Sequence, residues 1–287
     1  ALDYTIVVAA SASASSGEQY LAPYVAATMA EYFMYSGRDA FVVFDDLTKH
    51  AWIYRELSLL LERAPGREAY PGDIFYLHSQ LMERAGRLNP EMGSGSMTFF
   101  PIVETLQGDI TGYVQSNLVS MTDGQVYISS GLFHEGFKPA IDMGLSVSRI
   151  GSKVQSDALR EVSDTLRLEY AQYKDLLRLM RGKTQLSTEL SEKLRRGEAL
   201  SLLLMQNAHK PVSELDLVVQ LYAFKRKILE ILSPEGLSLF GREIMDYLEE
   251  LHPALLKALL EKKMLSPEVK EELDRAFVEF FREKKVV

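Results

Sequence analysis

The stretch Ala40-Phe-Val-Val-Phe-Asp-Asp-Leu-Thr-Lys49 decides how the rest of the chain is read. Ala40 to Phe44 is an unbroken apolar run of strand length, and the carboxylates Asp45 and Asp46 stand at its C-terminal end. In open α/β sheets that end of a strand is where ligands bind. Upstream, Thr5-Ile-Val-Val-Ala-Ala10 predicts a second buried strand, and a serine-rich loop from Ser11 to Gly17 follows. Tyr20 to Tyr35 predicts a helix with Leu21, Tyr24, Val25, Thr28, Met29, Tyr32 and Phe33 at helical spacing, ended by Gly37. Downstream, Lys49 to Arg63 predicts a helix stopped by Pro65-Gly66, and Ile74 to Leu88 another. Glu91 to Ser96 reads as a flexible stretch, and Met97 to Val103, Ile110 to Ser116, Gln125 to Ser129 and Leu145 to Ser148 as strands. Strands alternating with helices make an α/β domain.

Past Ser152 the pattern changes. Ser152 followed by Gln155 has the spacing of a capping box, which satisfies two backbone donors at a helix start. Leu159, Val162, Leu166, Tyr170, Tyr173, Leu177 and Met180 then mark one apolar stripe on a long helix. Thr188–Met205, Ser213–Leu232, Leu237–His252, Pro253–Lys263 and Pro267–Lys285 all predict amphipathic helices. The expected organisation is an α/β domain over residues 1–155 and an all-helical bundle over 156–287.

Composition narrows the function. The 287 residues carry 32 basic and 40 acidic side chains, a formal charge of −8, which argues against neutralising a nucleic-acid backbone. With no cysteine there is neither a disulfide framework nor a thiolate metal site. The longest apolar runs fall far short of the ~20 residues of a membrane-spanning helix. His50, His78, His134, His209 and His252 show no metal-ligating spacing, and no Gly-x-Ser-x-Gly elbow supports a serine nucleophile. Arg181-Gly-Lys-Thr184 carries the end of a phosphate-loop motif, but the glycine needed five positions before Gly182 is Leu177, inside a helix. It reads as a helix end and polar turn. The start, Ala1-Leu-Asp-Tyr, lacks the regions of a signal peptide, and the expectation is a chain that begins inside a fold.

An apolar strand ending in Asp is one way nucleotide-hydrolysing folds place a carboxylate near Mg²⁺. Three segments give that strand its context: Ala40 to Lys49; Pro65-Gly-Arg-Glu-Ala-Tyr-Pro-Gly-Asp-Ile-Phe-Tyr-Leu-His78; and Pro139-Ala-Ile-Asp-Met-Gly-Leu-Ser-Val-Ser-Arg-Ile-Gly151. In this order and spacing they closely resemble the alpha subunit of rotary F-type ATP synthases, densely from Tyr4 to Gln155 and more weakly beyond. The resemblance implies a partial RecA-like parallel-sheet nucleotide-binding domain followed by a helical bundle. It places the family's β-barrel and phosphate loop upstream of Ala1.

It also implies roles. The strand-end carboxylate associated with Mg²⁺, through water, falls on Asp45, and the arginine that reaches into the neighbouring beta subunit's catalytic site falls on Arg149. Ser146 falls on a serine needed for activity, and Ser120 on one lining the same interface; both read as strand serines, for which local hydrogen bonding is the default. The subunit's own non-catalytic ATP/ADP pocket would be lined by Phe133 and Pro139 against the adenine and Gln206 on its edge, with Lys138 alongside. Implied partners are beta subunits in an alternating hexamer, the central gamma shaft and a peripheral stalk. The implied setting is the cytoplasmic face of a bacterial energy-transducing membrane, moving protons or sodium, with no nucleic acid and no membrane insertion.

Departures sit at the pocket. The family usually has Arg where Lys138 stands and Gln where Ala208 stands, and Glu62 and Gln80 replace common arginines. These leave open a divergent paralogue, or a helical scaffold without nucleotide chemistry. An export ATPase of type III secretion or a V-type subunit fits the Pro65–Asp73 and Ser146–Gly151 segments less well.

Overall fold

The computed structural model describes residues 2–180 and 188–284. The chain divides into two compact units, Ala1–Asp123 and Gly124–Val287.

In the first unit, helix α1 (Ser16–Tyr35) precedes strand β1 (Asp39–Phe44), followed by α2 (Leu47–Leu60), α3 (Ile74–Met82), β2 (Gly86–Arg87), β3 (Ser96–Pro101) and α4 (Tyr113–Met121). The sheet order is β1-β3-β2, with β1 parallel to β3 and β2 antiparallel. Register pairs Val42 with Phe99 and Val43 with Phe100. Side chains alternate along a strand, so Val42, Phe44 and Phe99 enter the core while Phe41, Val43 and Phe100 point away and are exposed. Helices α1 and α2 are started by side-chain caps. Ser15 and Glu18 form a capping box on α1, and the Asp46 carboxylate accepts the Lys49 backbone N–H at 2.8 Å to cap α2. Gly95 lets β3 approach the end of α1, because a Cβ there would stand 2.0 Å from the Met34 carbonyl oxygen.

Four expectations fail in this unit. The helix expected over Ile74–Leu88 ends at Met82, and Gly86–Arg87 pair with β3 as strand β2 instead. Thr5–Ala10 is not a strand: it makes no ladder, and Ile6 and Val7 are 57% and 74% exposed. An apolar run supplies a strand's side chains, but only a neighbouring edge supplies its hydrogen bonds. The α1 face is reversed, with Ala27, Ala30 and Met34 buried while Leu21, Val25, Met29 and Tyr32 are exposed. Ile110–Ser116 gives way to helix α4, which buries Val114 and Leu118, one helical turn apart.

The second unit begins with β4 (Gly124–Gln125), α5 (Ser130–His134) and β5 (Val147–Ser148), β4 and β5 pairing antiparallel. The expected strand at Gln125–Ser129 reduces to this ladder and an isolated bridge from Ile128 to Ile141. Among the described residues seven helices follow: α6 (Asp157–Ser163), α7 (Leu166–Met180), α8 (Thr188–Leu203), α9 (Glu214–Lys225), α10 (Pro234–Leu251), α11 (Pro253–Lys262) and α12 (Pro267–Lys284). The expected capping box at Ser152 does not form. Residues Gly151–Val154 make a tight 3-10 turn, and Ser156 caps α6 by accepting the Leu159 N–H at 3.2 Å. The stripe from Leu159 to Met180 runs over two helices broken at Asp164–Thr165, yet Val162, Leu166 and Tyr170 still point inward. The helix expected over Ser213–Leu232 also ends early, at Lys225, with Lys227 in a left-handed conformation before a 3-10 turn at Ile228–Ile231.

Fully buried Phe224, Phe240, Phe277 and Phe280 anchor the helical core. Phe240 meets Phe277, Phe280 and Phe281 with ring centroids 5.7, 5.9 and 5.8 Å away. Burying each such ring stabilises by about 1.5–3 kcal/mol. Arg196 of α8 donates to Glu169 of α7 at 2.6 Å and to Glu230 at 2.6 Å, and its guanidinium lies 4.2 Å from the Phe224 ring centroid.

Candidate functional site

The two carboxylates at the end of β1 have separate tasks. Asp46 is buried; it caps α2 and pairs with the Lys49 ammonium, which also reaches Glu104 at 2.9 Å. Those two carboxylates, Asp46 foremost, raise the lysine's pKa. Asp45 is left exposed where β1 ends. Among the described residues no group of three or more acidic or histidine side chains could hold a metal ion. A single outward carboxylate suits Mg²⁺, which keeps waters and leans on substrate phosphates rather than on an all-protein cage. Ser120 lies on α4, not on a strand, and its hydroxyl donates to the Asn117 carbonyl at 2.7 Å.

The remaining six candidates belong to the second unit. Ser146 donates to the Asp142 carbonyl at 2.6 Å and accepts the Tyr127 N–H at 2.9 Å, tying the loop before β5 to the segment after β4. The Asp142 carboxylate accepts the Gly144 and Leu145 N–H groups at 2.8 and 3.1 Å, and Gln125 and Arg167 donate to the Leu145 and Gly144 carbonyls, each at 3.1 Å. Gly124 is a requirement of this arrangement, since a Cβ there would lie 2.2 Å from the Val147 oxygen. Arg149, exposed, follows β5 directly. Beyond it the Ser148 hydroxyl accepts the Gly151 N–H at 3.1 Å, with Gly151 at φ +61°. The arginine therefore leaves a loop held from both sides.

The four pocket candidates gather at one place. The Lys138 ammonium sits 4.8 Å from the Phe133 ring centroid, and the Gln206 N–H donates to the Lys138 carbonyl at 2.8 Å. Lys138–Pro139 is a cis peptide bond. Leu132, Gly136, Phe137 and Met205, the chain neighbours of this group, help line a cavity of about 230 Å³ with Tyr173 and Lys174. Phe133 is 54% exposed, so its ring is accessible to a planar partner.

Comparison with known sequences decides the family. Residues 1–148 match the nucleotide-binding domain of the ATP synthase alpha/beta family, and residues 155–280 match the C-terminal domain of the alpha/beta chain. The chain belongs to the ATP synthase alpha/beta family. Over 280 residues it is 46% identical to ATP synthase subunit alpha of Petrotoga mobilis and 45% identical to that of Clostridium kluyveri, covering 98% of this chain in each case. It spans 56% of the length of each of these relatives.

Within this ATP synthase alpha/beta chain, sequence reasoning missed the residues that hold the Arg149 loop: Gly124, Gln125, Asp142 and Arg167. Asp142-Met-Gly144 was a usable signal, because an Asp two residues before a Gly often closes a turn through its own side chain. Gln125 and Arg167 act on carbonyls distant in sequence and left no local trace. Arg181 to Thr184 lie outside the described residues.

Proposed function

We propose that this chain, with its nucleotide-binding part through residue 155 and its bundle from 156, is the larger part of a non-catalytic alpha subunit in the peripheral sector of a proton- or sodium-translocating ATP synthase. Its task there is to present Arg149 to phosphoryl transfer in an adjacent beta subunit. The observation that carries this reading is the exposed Arg149 on a loop fixed by Ser146, Asp142 and Gln125. A guanidinium is permanently charged and planar, and its fork of N–H donors can meet oxygens that gain charge in the transition state. Such a group acts only if its approach is preorganised, and the clamped loop supports that. Ser146 is then a positioning residue, and Ser120 belongs to the same proposed interface.

Phe133 and Pro139 would receive an adenine, Gln206 its edge, and Asp45 the water shell of Mg²⁺. When bound, Mg²⁺ supplies charge neutralisation on the phosphates. No phosphate-loop motif occurs in the 287 residues, so the isolated chain is expected to hydrolyse no ATP. The proposed partners are beta and gamma subunits and a peripheral stalk, at the cytoplasmic face of a bacterial membrane; no described helix is long and apolar enough to cross one. In a reconstituted alpha–beta assembly, Arg149→Ala should lower steady-state ATPase roughly 10³-fold or more. Turnover near that of the unmodified assembly would sink the reading.

A paralogue with weakened base recognition is the second reading, favoured by Lys138 resting on Phe133. A Phe133→Ala substitution that leaves ATP affinity of the assembly unchanged would select it.

A further inference from the structure

Between α1, α2 and α3 lies a pair of imidazoles that the proposed chemistry does not use. His50 is 5% exposed and His78 1%. His50 Nδ1 stands 3.3 Å from His78 Nε2, and His50 Nε2 stands 3.1 Å from the Tyr20 carbonyl oxygen. A carbonyl only accepts, so His50 carries its proton on Nε2 and leaves Nδ1 bare. His78 must then donate from Nε2, and the chain runs from His78 through His50 to the backbone of α1. A proton added to either ring leaves these hydrogen bonds possible, through one N–H shared between the rings, but places a charge in a site closed to water.

Among the described residues no carboxylate bonds to either ring. Tyr20 of α1 stacks on His50 at 5.4 Å and Tyr24 meets it edge-on at 5.9 Å, while Tyr54 of α2 stacks on Tyr20 at 5.9 Å. Leu47, Ala51, Ile74, Leu77 and Leu81 belong to the same core. From α4, which packs on α3, the one titratable group is Tyr113, placed against Tyr70. The charged groups nearby are already matched: Arg84 with Glu31 at 2.6 Å, and Lys49 with Asp46 and Glu104. Burial pushes the pKa of both histidines down, that of His78 to about 3, to which the charge of His50 adds.

We propose that the His50–His78 pair is an acid-sensitive latch that ties α1 to α2 and α3 while both rings are neutral and releases α1 when either takes up a proton. A released histidine titrates at its ordinary value, above that in the closed state. The latch is therefore full strength above that ordinary value and is lost as pH falls from it toward the lowered one. Going from pH 8 to pH 5, the charging of His78 favours release by about 30-fold, and that of His50 acts in the same direction.

The test is hydrogen exchange of the whole chain at pH 8 and pH 5, corrected for intrinsic rates and resolved by peptide. Protection over Ser16–Tyr35 should fall by about 30-fold or more while α10 and α12 keep theirs. Equal loss everywhere would mean ordinary acid unfolding and overturn the latch, as would unchanged protection of α1. Nitrogen NMR of the imidazoles reads the same question without mutation: both rings should keep the Nε2–H tautomer until α1 opens. Either ring titrating near pH 6.5 with α1 still protected would refute the proposal. The double substitution H50Q/H78Q should abolish the response; if it does not fold, the two measurements on the unaltered chain still decide.

Discussion

In residues 124–287 Phe224, Phe240, Phe277 and Phe280 are at most 1% exposed, whereas in the first unit Phe41 and Phe100 are 65% and 46% exposed with ring centroids 6.0 Å apart. The difference lies in how each kind of element disposes of apolar surface. A helix has one stripe to hide, and α6 to α12 hide theirs on one another. A parallel sheet has two faces, both of which normally need cover. Among the described residues the face bearing Val42, Phe44 and Phe99 enters the core, while that of Phe41, Val43 and Phe100 stays open. Helix α1 repeats the lesson, with a buried face of Ala27, Ala30 and Met34 and an exposed one of Leu21, Val25, Met29 and Tyr32. Apolar content alone thus did not say what would be buried.

The two regions report separately in experiment, because the single tryptophan, Trp52, lies on α2 in the first unit, while far-UV circular dichroism is dominated by the helices of the second. The largest effect is expected from Phe240→Ala, which empties the centre of the aromatic cluster and should cost about 3–5 kcal/mol in urea unfolding followed by circular dichroism. Trp52 fluorescence should keep its midpoint; a matching shift would show that the two units do not unfold separately. Gly124→Ala should come next, at about 1–3 kcal/mol, since its methyl would press on the Val147 oxygen and part β4 from β5. In the reconstituted assembly it should lower ATPase without displacing nucleotide from the beta sites, and unchanged turnover would show that the hairpin does not set the Arg149 loop. Phe41→Ser should be smallest, within about 0.5 kcal/mol by Trp52 fluorescence, because the side chain is already in water. A loss above 2 kcal/mol would mean that the open face is covered in solution.

How much was legible follows the same division. Strand β1 was readable because Ala40 to Phe44 is apolar throughout and stops at two carboxylates, and β3 for similar reasons. Helices α10 and α12 were readable because each has an apolar stripe and a serine and proline at its start, Ser233-Pro234 and Ser266-Pro267, whereas α7 starts after Asp164-Thr165 without either residue and α9 buries Val218, Val219 and Leu221 to Phe224 on several faces. Helix α1 was found but its inward face was not: it is apolar all round, and the small alanines that admit close packing on the sheet are weak in a hydrophobicity count. Thr5–Ala10 shows that strand-forming residues do not make a strand without an edge to pair with. The capping signal at Ser152 was displaced to Ser156 because both serines precede the same helix, and only the second places its oxygen within reach of the Leu159 N–H. At the candidate site the convergence of Phe133, Lys138 and Gln206 depends on a hydrogen bond between residues far apart in the chain, beyond any local pattern.

The guanidinium of Arg196 holds α7 through Glu169 and the turn after α9 through Glu230, with the Phe224 ring beneath it. Next to it Gly197 brings α8 so near α7 that a Cβ would fall 2.2 Å from the Tyr173 ring. For α8 to slide by one residue, both carboxylates would have to let go at once and a larger side chain would have to enter that narrow gap. The bundle is therefore geared rather than greased: a push on one of these helices is passed to its neighbours as displacement of the whole block, with little of the motion absorbed along the way.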